Sequence, residues 1–130
     1  MPLLKIVNCT DSVLRKRCLK VENIDQSLVT LADNMIETMY SASGLGLAAN
    51  QVGVPTDLFV IDVGIDKDKR DPVITINPLI TASDEQVMAE EGCLSIPEIF
   101  AEVKRSQHVE VKGYDLNGNE LRYEAEGFLA

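Results

Sequence analysis

The chain has 130 residues, of which 45% are hydrophobic and 25% are charged, and its formal net charge is −9. This length is typical of one compact domain that buries about two-thirds of its unfolded surface, and no apolar run approaches the roughly 20 residues of a membrane span. The composition therefore excludes disordered and membrane-embedded proteins, and the scattered basic residues of so acidic a chain disfavour direct binding to nucleic acid. We expect a single domain over residues 1–130.

The cysteines and the N-terminus bear on the cellular compartment. Cys9, Cys18 and Cys93 include no CxxC pair, and the start of the chain lacks a charged leader followed by a long apolar segment. These features predict a reducing, cytoplasmic setting. Cys9 and Cys18 are interpreted as structural, whereas the local sequence around Cys93 leaves both a buried thiol and a functional thiol open.

Two helical elements are predicted after an extended start at residues 3–7. The first is a short turn at residues 11–16, capped by Asp11 or Ser12. The second is an amphipathic helix over residues 25–40, because its apolar residues recur at three- and four-residue spacing. These residues are Ile24, Leu28, Leu31, Ala32, Met35 and Met39. The methionines of this helix are interpreted as core residues.

The first unusual stretch is Gly44–Gln51, with the sequence GLGLAANQ. A GxGxxA pattern also occurs in dinucleotide sites, but there a strand precedes the glycines and a helix follows, whereas here a helix precedes them and a strand at residues 58–63 follows. Glycines without a Cβ let an extended peptide pair with the loop edge, and Gln51 would direct its amide at that peptide. The alternative is a tight helix-to-strand turn in which Gln51 satisfies loop backbone groups.

The rest of the chain predicts short strands and turns. These are a solvated loop at residues 66–72, a strand at 73–76 that stops at Asn77-Pro78, weak strand signals at 81–89 and 99–103, and a hairpin with strands at 107–114 and 120–123. The Asn-Gly pair in the turn at 115–118 favours the hairpin, in which Val109 and Val111 face inward. His108, the only histidine, falls on the polar face and is predicted to be solvent-exposed.

The second unusual stretch is residues 90–97, EEGCLSIP, which places the Cys93 thiol beside a glycine and two carboxylates. Together the two stretches resemble the peptide deformylase family, since Gly44–Gln51 matches its GxGxAAxQ motif and Glu91–Ser95 its EGCLS motif. The flanking residues 33–40, 76–78 and 95–97 also look like the family. The resemblance implies an α+β fold with an amphipathic helix packed on antiparallel strands. It also implies metal-assisted removal of the formyl group from the N-terminal formyl-methionine of new polypeptides.

The resemblance implies roles for particular residues. Cys93 would be a ligand of a divalent metal, ferrous iron in cells, which zinc, nickel or cobalt can replace. The Gln51 side-chain amide and the Leu94 backbone amide would stabilise the charge that develops on the formyl oxygen. The residues expected to bind the formyl-methionyl peptide are Gly44, Leu45, Gly46 and Glu91.

One departure from the family is clear: the chain has no HExxH, the third motif, which supplies two histidine ligands and a general-base glutamate. Residues 126–130 resemble the first turn of that helix, so we expect the chain to be truncated at its C-terminus. With Cys93 as its one matching ligand, it should neither hold metal tightly nor deformylate peptides, and uncovered apolar surface should favour self-association.

Two other classes of function stay open on the sequence. One is a deformylase-like module that lost its third motif and only binds peptides. The other is a cysteine hydrolase with Cys93 as nucleophile, which would need His108 as its base.

Overall fold

The computed structural model describes residues 3–62 and 70–126. In chain order, these residues form a 3-10 helix η1 (Ser12–Arg15), helix α1 (Gln26–Ser41), strand β1 (Gly46–Ala48), a 3-10 helix η2 (Ala49–Val52), and strands β2 (Leu58–Ile61), β3 (Val73–Cys93), β4 (Ile96–Tyr114) and β5 (Glu120–Glu126). The strands form one antiparallel sheet in the order β1-β2-β3-β4-β5. One long helix with this sheet is the predicted α+β fold. Within the described ranges, α1 and the two 3-10 helices all lack the length and apolar character needed to span a membrane.

Helix α1 begins where the sequence predicts. The Asp25 carboxylate accepts a hydrogen bond from the Leu28 amide at 3.0 Å, which satisfies one of the free N–H groups of the first turn. The face that carries Met35 and Met39 is fully buried. It forms the main core with apolar side chains of the first three strands, chiefly Leu47, Leu58, Val60 and Ile76. The predicted core role of the methionines is therefore confirmed.

Strand β3 does not stop at Asn77-Pro78, so that prediction is wrong. Ile76 pairs with Tyr114 but Leu79 pairs with Lys112, so Asn77 and Pro78 together oppose a single residue of β4. This is a β-bulge, in which a proline need not donate to the ladder. Asn77 has a φ of 53°, and its side chain bonds both the N–H and the C=O of Val21 at 2.9 Å. The bulge lets the strand continue to Cys93.

The weak strand signals at 81–89 and 99–103 likewise belong to long continuous strands. They lie in β3 and β4, which pair with each other over most of their length. The predicted end of β2 at Val63 and residues 66–69 of the predicted loop lie outside the described residues.

The hairpin of β4 and β5 is confirmed. Asp115 fixes its turn, because its side chain accepts the amides of Asn117 and Asn119 at 2.9 and 3.0 Å. Val109 and Val111 are buried with Ala125 in a second, smaller core. The side chain of His108 is 30% exposed and its Nε2 lies 3.5 Å from a carboxylate oxygen of Glu124. It is half-buried, so the prediction of a solvent-exposed histidine is wrong in degree.

Candidate active site

Gln51 lies in η2, directly after the edge strand β1. Its side-chain oxygen accepts the Ala48 amide at 3.0 Å, and its side-chain nitrogen donates to the Cys93 sulfur at 3.4 Å. The Gln51 backbone carbonyl accepts the Val7 amide at 2.8 Å. One end of the Gln51 amide therefore satisfies loop backbone, as the turn interpretation predicts, and the other end faces Cys93. The contact of this amide with a peptide stays a prediction.

Cys93 ends β3 at the point where the chain turns into β4. Gly92 pairs with Phe100 but Cys93 pairs with Ile96, so the register shifts between these two residues. The thiol is free and exposed. The interpretation of Cys93 as a buried, purely structural thiol is therefore wrong. Cys9 and Cys18 are each partly buried, as structural residues would be.

Strand β1 is the outer strand of the sheet, and among the described residues no strand lies on its far side. The Leu45 carbonyl accepts a hydrogen bond from the Asp62 amide at 2.9 Å, so these two residues form a hydrogen-bonded pair. Gly46 stands opposite Ile61 in the next position of the ladder. Hydrogen-bonded and non-hydrogen-bonded pairs alternate in an antiparallel ladder, so the N–H and C=O of Gly46 point away from β2. Leu45 is 56% exposed. The edge therefore offers free backbone groups next to an exposed apolar side chain.

The two motif stretches touch each other at a second point. A Cβ added to Gly44 would lie 2.7 Å from Cδ1 of Leu94, a distance that real contacts do not show. Glycine at position 44 thus lets the turn after α1 pack directly against Leu94. Gln51 with Cys93 and Gly44 with Leu94 bring together residues that are 42 and 50 positions apart in the chain.

Comparison with known proteins identifies the family of this site. The family model described as polypeptide deformylase matches residues 3–130. The chain belongs to the polypeptide deformylase family. The peptide deformylases of Syntrophobacter fumaroxidans and Thermodesulfovibrio yellowstonii are each 45% identical over the whole chain, which covers 76% and 79% of them.

Solved structures agree with the family assignment. The crystal structure of a peptide deformylase from Thermotoga maritima has a TM-score of 0.91 at 44% identity, covering 98% of this chain and 84% of that one. A Synechococcus elongatus peptide deformylase, solved in complex with actinonin, has a TM-score of 0.92 at 40% identity, covering 100% of this chain and 69% of that one. The family resemblance seen in the two motifs is confirmed.

Glu91, two residues before the thiol of this deformylase-family chain, is held by an arginine. Both of its carboxylate oxygens accept hydrogen bonds from Arg105, each at 2.8 Å. The bond from the guanidinium lowers the pKa of Glu91 below its usual range. Arg105 carries no sequence signal for this contact, because it stands opposite Val87, four positions before Glu91, and reaches the carboxylate through its long side chain. The side chain of Glu90 lies outside the described residues.

The described residues do not by themselves fit a tightly bound metal. Cys93 offers one thiol, and no group of three His, Cys, Asp or Glu within residues 3–62 and 70–126 is placed to hold an ion. His108 cannot assist Cys93, because it pairs with Asp84, nine positions before Cys93 on β3. At about 3.4 Å per residue that separation is roughly 30 Å. The cysteine-hydrolase alternative is therefore wrong.

Proposed function

We propose that this chain supplies the peptide-binding edge and the charge-stabilising donors of a peptide deformylase, which removes the N-formyl group from formyl-methionyl polypeptides by amide hydrolysis. The observation that carries the proposal is the Gln51 amide nitrogen 3.4 Å from the exposed Cys93 sulfur, at the end of an open sheet edge. The family membership of the chain and the activity named for its relatives agree with this function.

The peptide would add to the sheet as an extra strand outside β1. The outward N–H and C=O of Gly46 would pair with its backbone, an arrangement in which main-chain bonds give affinity and side-chain pockets give specificity. The exposed Leu45 side chain would form one wall of an apolar pocket for the methionine. Glu91 stays a predicted substrate-binding residue. Both of its oxygens already accept bonds from Arg105, so a peptide would have to share them.

Hydrolysis of the formyl amide builds negative charge on its carbonyl oxygen. Two donors near Cys93 would stabilise that charge, the Gln51 side-chain NH₂ and the Leu94 backbone N–H, and removing one such donor typically costs about 3 kcal/mol of barrier. The Gln51 oxygen is fixed by the Ala48 amide, so the NH₂ group is held in one orientation. A donor that is already oriented needs no rearrangement during the reaction.

Cys93 is the proposed metal ligand, with ferrous iron in the cytoplasm as the proposed metal and zinc, nickel or cobalt as substitutes. One thiolate is too few ligands for a catalytic site, which typically needs three protein groups. The 130 residues contain a single histidine, His108, and no HExxH. We therefore propose that the 130-residue polypeptide binds peptide but neither retains metal nor turns over substrate.

An apolar cleft between the strands supports proposed self-association of this polypeptide. It has a volume of about 340 Å³ and is lined by Phe59, Ile61, Pro78, Leu79, Ile80, Val109, Val111 and Tyr123. Leu79 and Ile80 are 61% and 64% exposed. A contiguous apolar face of this kind favours association with a second copy. Analytical ultracentrifugation of the wild type and of a Leu79→Ser, Ile80→Ser variant would test this, and a monomeric wild type at high micromolar concentration would contradict it.

The function is tested on the 130-residue chain with a formyl-Met-Ala-Ser peptide. NMR titration should show binding with the largest shifts at the Gly46 amide, elemental analysis should find metal far below one equivalent, and a deformylation assay should show no turnover. Absence of peptide binding would refute the proposed function. Stoichiometric metal with turnover would refute the assignment of ligands.

The peptide-binding module that lacks catalysis would behave in the same way in these assays. The intact mass of the natural product separates the two functions. An extension that carries HExxH supports the enzyme, whereas a natural product of 130 residues supports the module.

A further inference from the structure

A cluster of interactions is centred on Asp62, which directly follows β2 and lies next to the start of the edge strand β1. The Tyr40 hydroxyl donates to the Asp62 carboxylate at 2.5 Å, and the Asp71 amide donates to the same oxygen at 3.0 Å. The Asp62 amide in turn donates to the Leu45 carbonyl at 2.9 Å. Neither motif of the family contains Tyr40 or Asp62, and no role for either follows from the site described above.

These bonds attach both ends of one turn to a single residue. Tyr40 is in the last turn of α1 and Leu45 directly precedes β1. The segment 40–45 is therefore bonded to the Asp62 side chain at its first residue and to the Asp62 backbone at its last. The turn contains Ser43 at a φ of 56°, a left-handed conformation that non-glycine residues seldom adopt. Such a conformation persists only where neighbouring contacts hold it.

Further contacts restrain Tyr40 itself. The Arg70 guanidinium lies 4.3 Å from the centre of the Tyr40 ring and 3.3 Å from a carboxylate oxygen of Glu37, one turn earlier in α1. Burial, followed by the hydrogen bond to Asp62, raises the pKa of Tyr40 to about 12. The phenol therefore stays protonated and keeps donating throughout the physiological pH range.

We propose that Asp62 is a positioning residue that fixes the turn at residues 40–45, and with it the Gly46 backbone and the contact between Gly44 and Leu94. This inference rests on the proposed function, because Gly46 and Leu94 matter as peptide-binding and charge-stabilising groups only in a deformylase. Asp62 acts through the turn and touches neither the peptide nor the formyl group. Its effect should therefore appear as lost affinity in a chain that remains folded.

The test compares four variants of the 130-residue chain for binding of the formyl-Met-Ala-Ser peptide, followed at the Gly46 amide by NMR. Asp62→Ala removes the acceptor and should weaken binding about tenfold, because a bond to a charged group is lost. Asp62→Asn keeps one acceptor oxygen and should recover part of that loss. Tyr40→Phe should weaken binding about threefold. Tyr123→Phe is the matched control, since it removes a hydroxyl bonded to Thr75 at 2.9 Å, in a part of the sheet away from the turn.

Hydrogen exchange gives a readout that needs no peptide. The Gly44 amide bonds the Met39 carbonyl at 2.9 Å and should exchange faster in Asp62→Ala and Tyr40→Phe. The Gly118 amide, bonded to Asp115 in the distant hairpin turn, should not change. If Asp62→Ala does not fold, Tyr40→Phe and Asp62→Asn decide.

The possible failures are distinguishable. A wild type that does not bind the peptide would refute the proposed function. A wild type that binds, together with an Asp62→Ala variant that binds equally well or leaves Gly44 exchange unchanged, would refute the role of Asp62 and leave the function standing. An equal loss of affinity in Tyr123→Phe would also overturn the inference, because it would indicate general destabilisation.

Discussion

The contact between the Gln51 amide and the Cys93 thiol predicts that Gln51→Glu slows alkylation of Cys93. The substitution keeps the size of the side chain and the oxygen that accepts the Ala48 amide. It replaces the NH₂ group that donates to sulfur with a carboxylate oxygen. The reactive form of a cysteine is the anionic thiolate, so the variant brings a second negative charge against it.

The size of the effect follows from the distance. Two unit charges 3.4 Å apart, the separation of the Gln51 nitrogen and the Cys93 sulfur, repel by about 1 kcal/mol in water-like surroundings. That energy lowers the fraction of thiolate about fivefold. A more basic thiolate is also a better nucleophile, by about twofold. The expected net result is alkylation that is roughly two- to threefold slower.

The assay measures the rate of reaction with iodoacetamide at pH 7.5 in a Cys9→Ser, Cys18→Ser background, so that Cys93 is the sole thiol. Asn50→Asp is the control, because it adds the same charge one residue earlier in the chain. We expect it to react at close to the rate of the background protein. Equal rates for Gln51→Glu and the background would mean that the amide does not face the thiol, which would remove the central observation of the proposed site.

Three further predictions follow from the geometry. Gly113→Ala should destabilise the chain by about 2–3 kcal/mol in urea unfolding, since the added Cβ would lie 2.9 Å from a β3 carbonyl oxygen. In Gly46→Ala the atom nearest to the added Cβ is 3.7 Å away, so stability should change by under about 0.5 kcal/mol. Similar costs for both variants would contradict the packing. An ultraviolet titration should find one tyrosine that ionises near pH 12, and this signal should be absent from Tyr40→Phe. Because the raised pKa favours the protonated phenol, Tyr40 stabilises the fold fully below about pH 10, and this contribution is lost as the pH rises towards about 12. A tyrosine signal unchanged in the variant would refute this. The lowered pKa of Glu91 stabilises the fold above about pH 4, and this stabilisation is lost as the pH falls further. Glu91→Gln or Arg105→Gln should therefore reduce the loss of unfolding free energy on acidification by at most about 1 kcal/mol. An unchanged dependence of stability on acidic pH would count against the pair.

The parts of the fold that were predicted correctly depend on local signals. The spacing of Met35 and Met39 lies within one helix, and the Asn-Gly turn at residues 117–118 lies within one hairpin. Their physics needs no distant partner. The end of β3 was predicted wrongly for the opposite reason, because the bonds from Asn77 to Val21 that stabilise its bulge span 56 residues.

The site shows the same division. Gln51, Cys93 and Gly44 were found because each lies in a short motif with unusual residue types. Arg105 and Asp62 were missed because a single charged residue within a strand or just after one gives no signal of its own. Only the pairing of β3 with β4 lets the long side chains of Arg105 and Glu91 meet, and only the return of the chain at β2 brings Asp62 to Tyr40.

The position of Cys93 depends on pairing more than on its immediate neighbours. Between Gly92 and Cys93 the partner on β4 changes from Phe100 to Ile96, so three residues of β4 are left out of the ladder. Deleting one residue from the unpaired segment 97–99 should change how Cys93 is held against β4 and weaken its contact with Gln51, even though every residue of EGCLS stays in place. Loss of the Gln51 effect on alkylation in such a deletion would show that pairing places the thiol, and its survival would show that the motif alone does so.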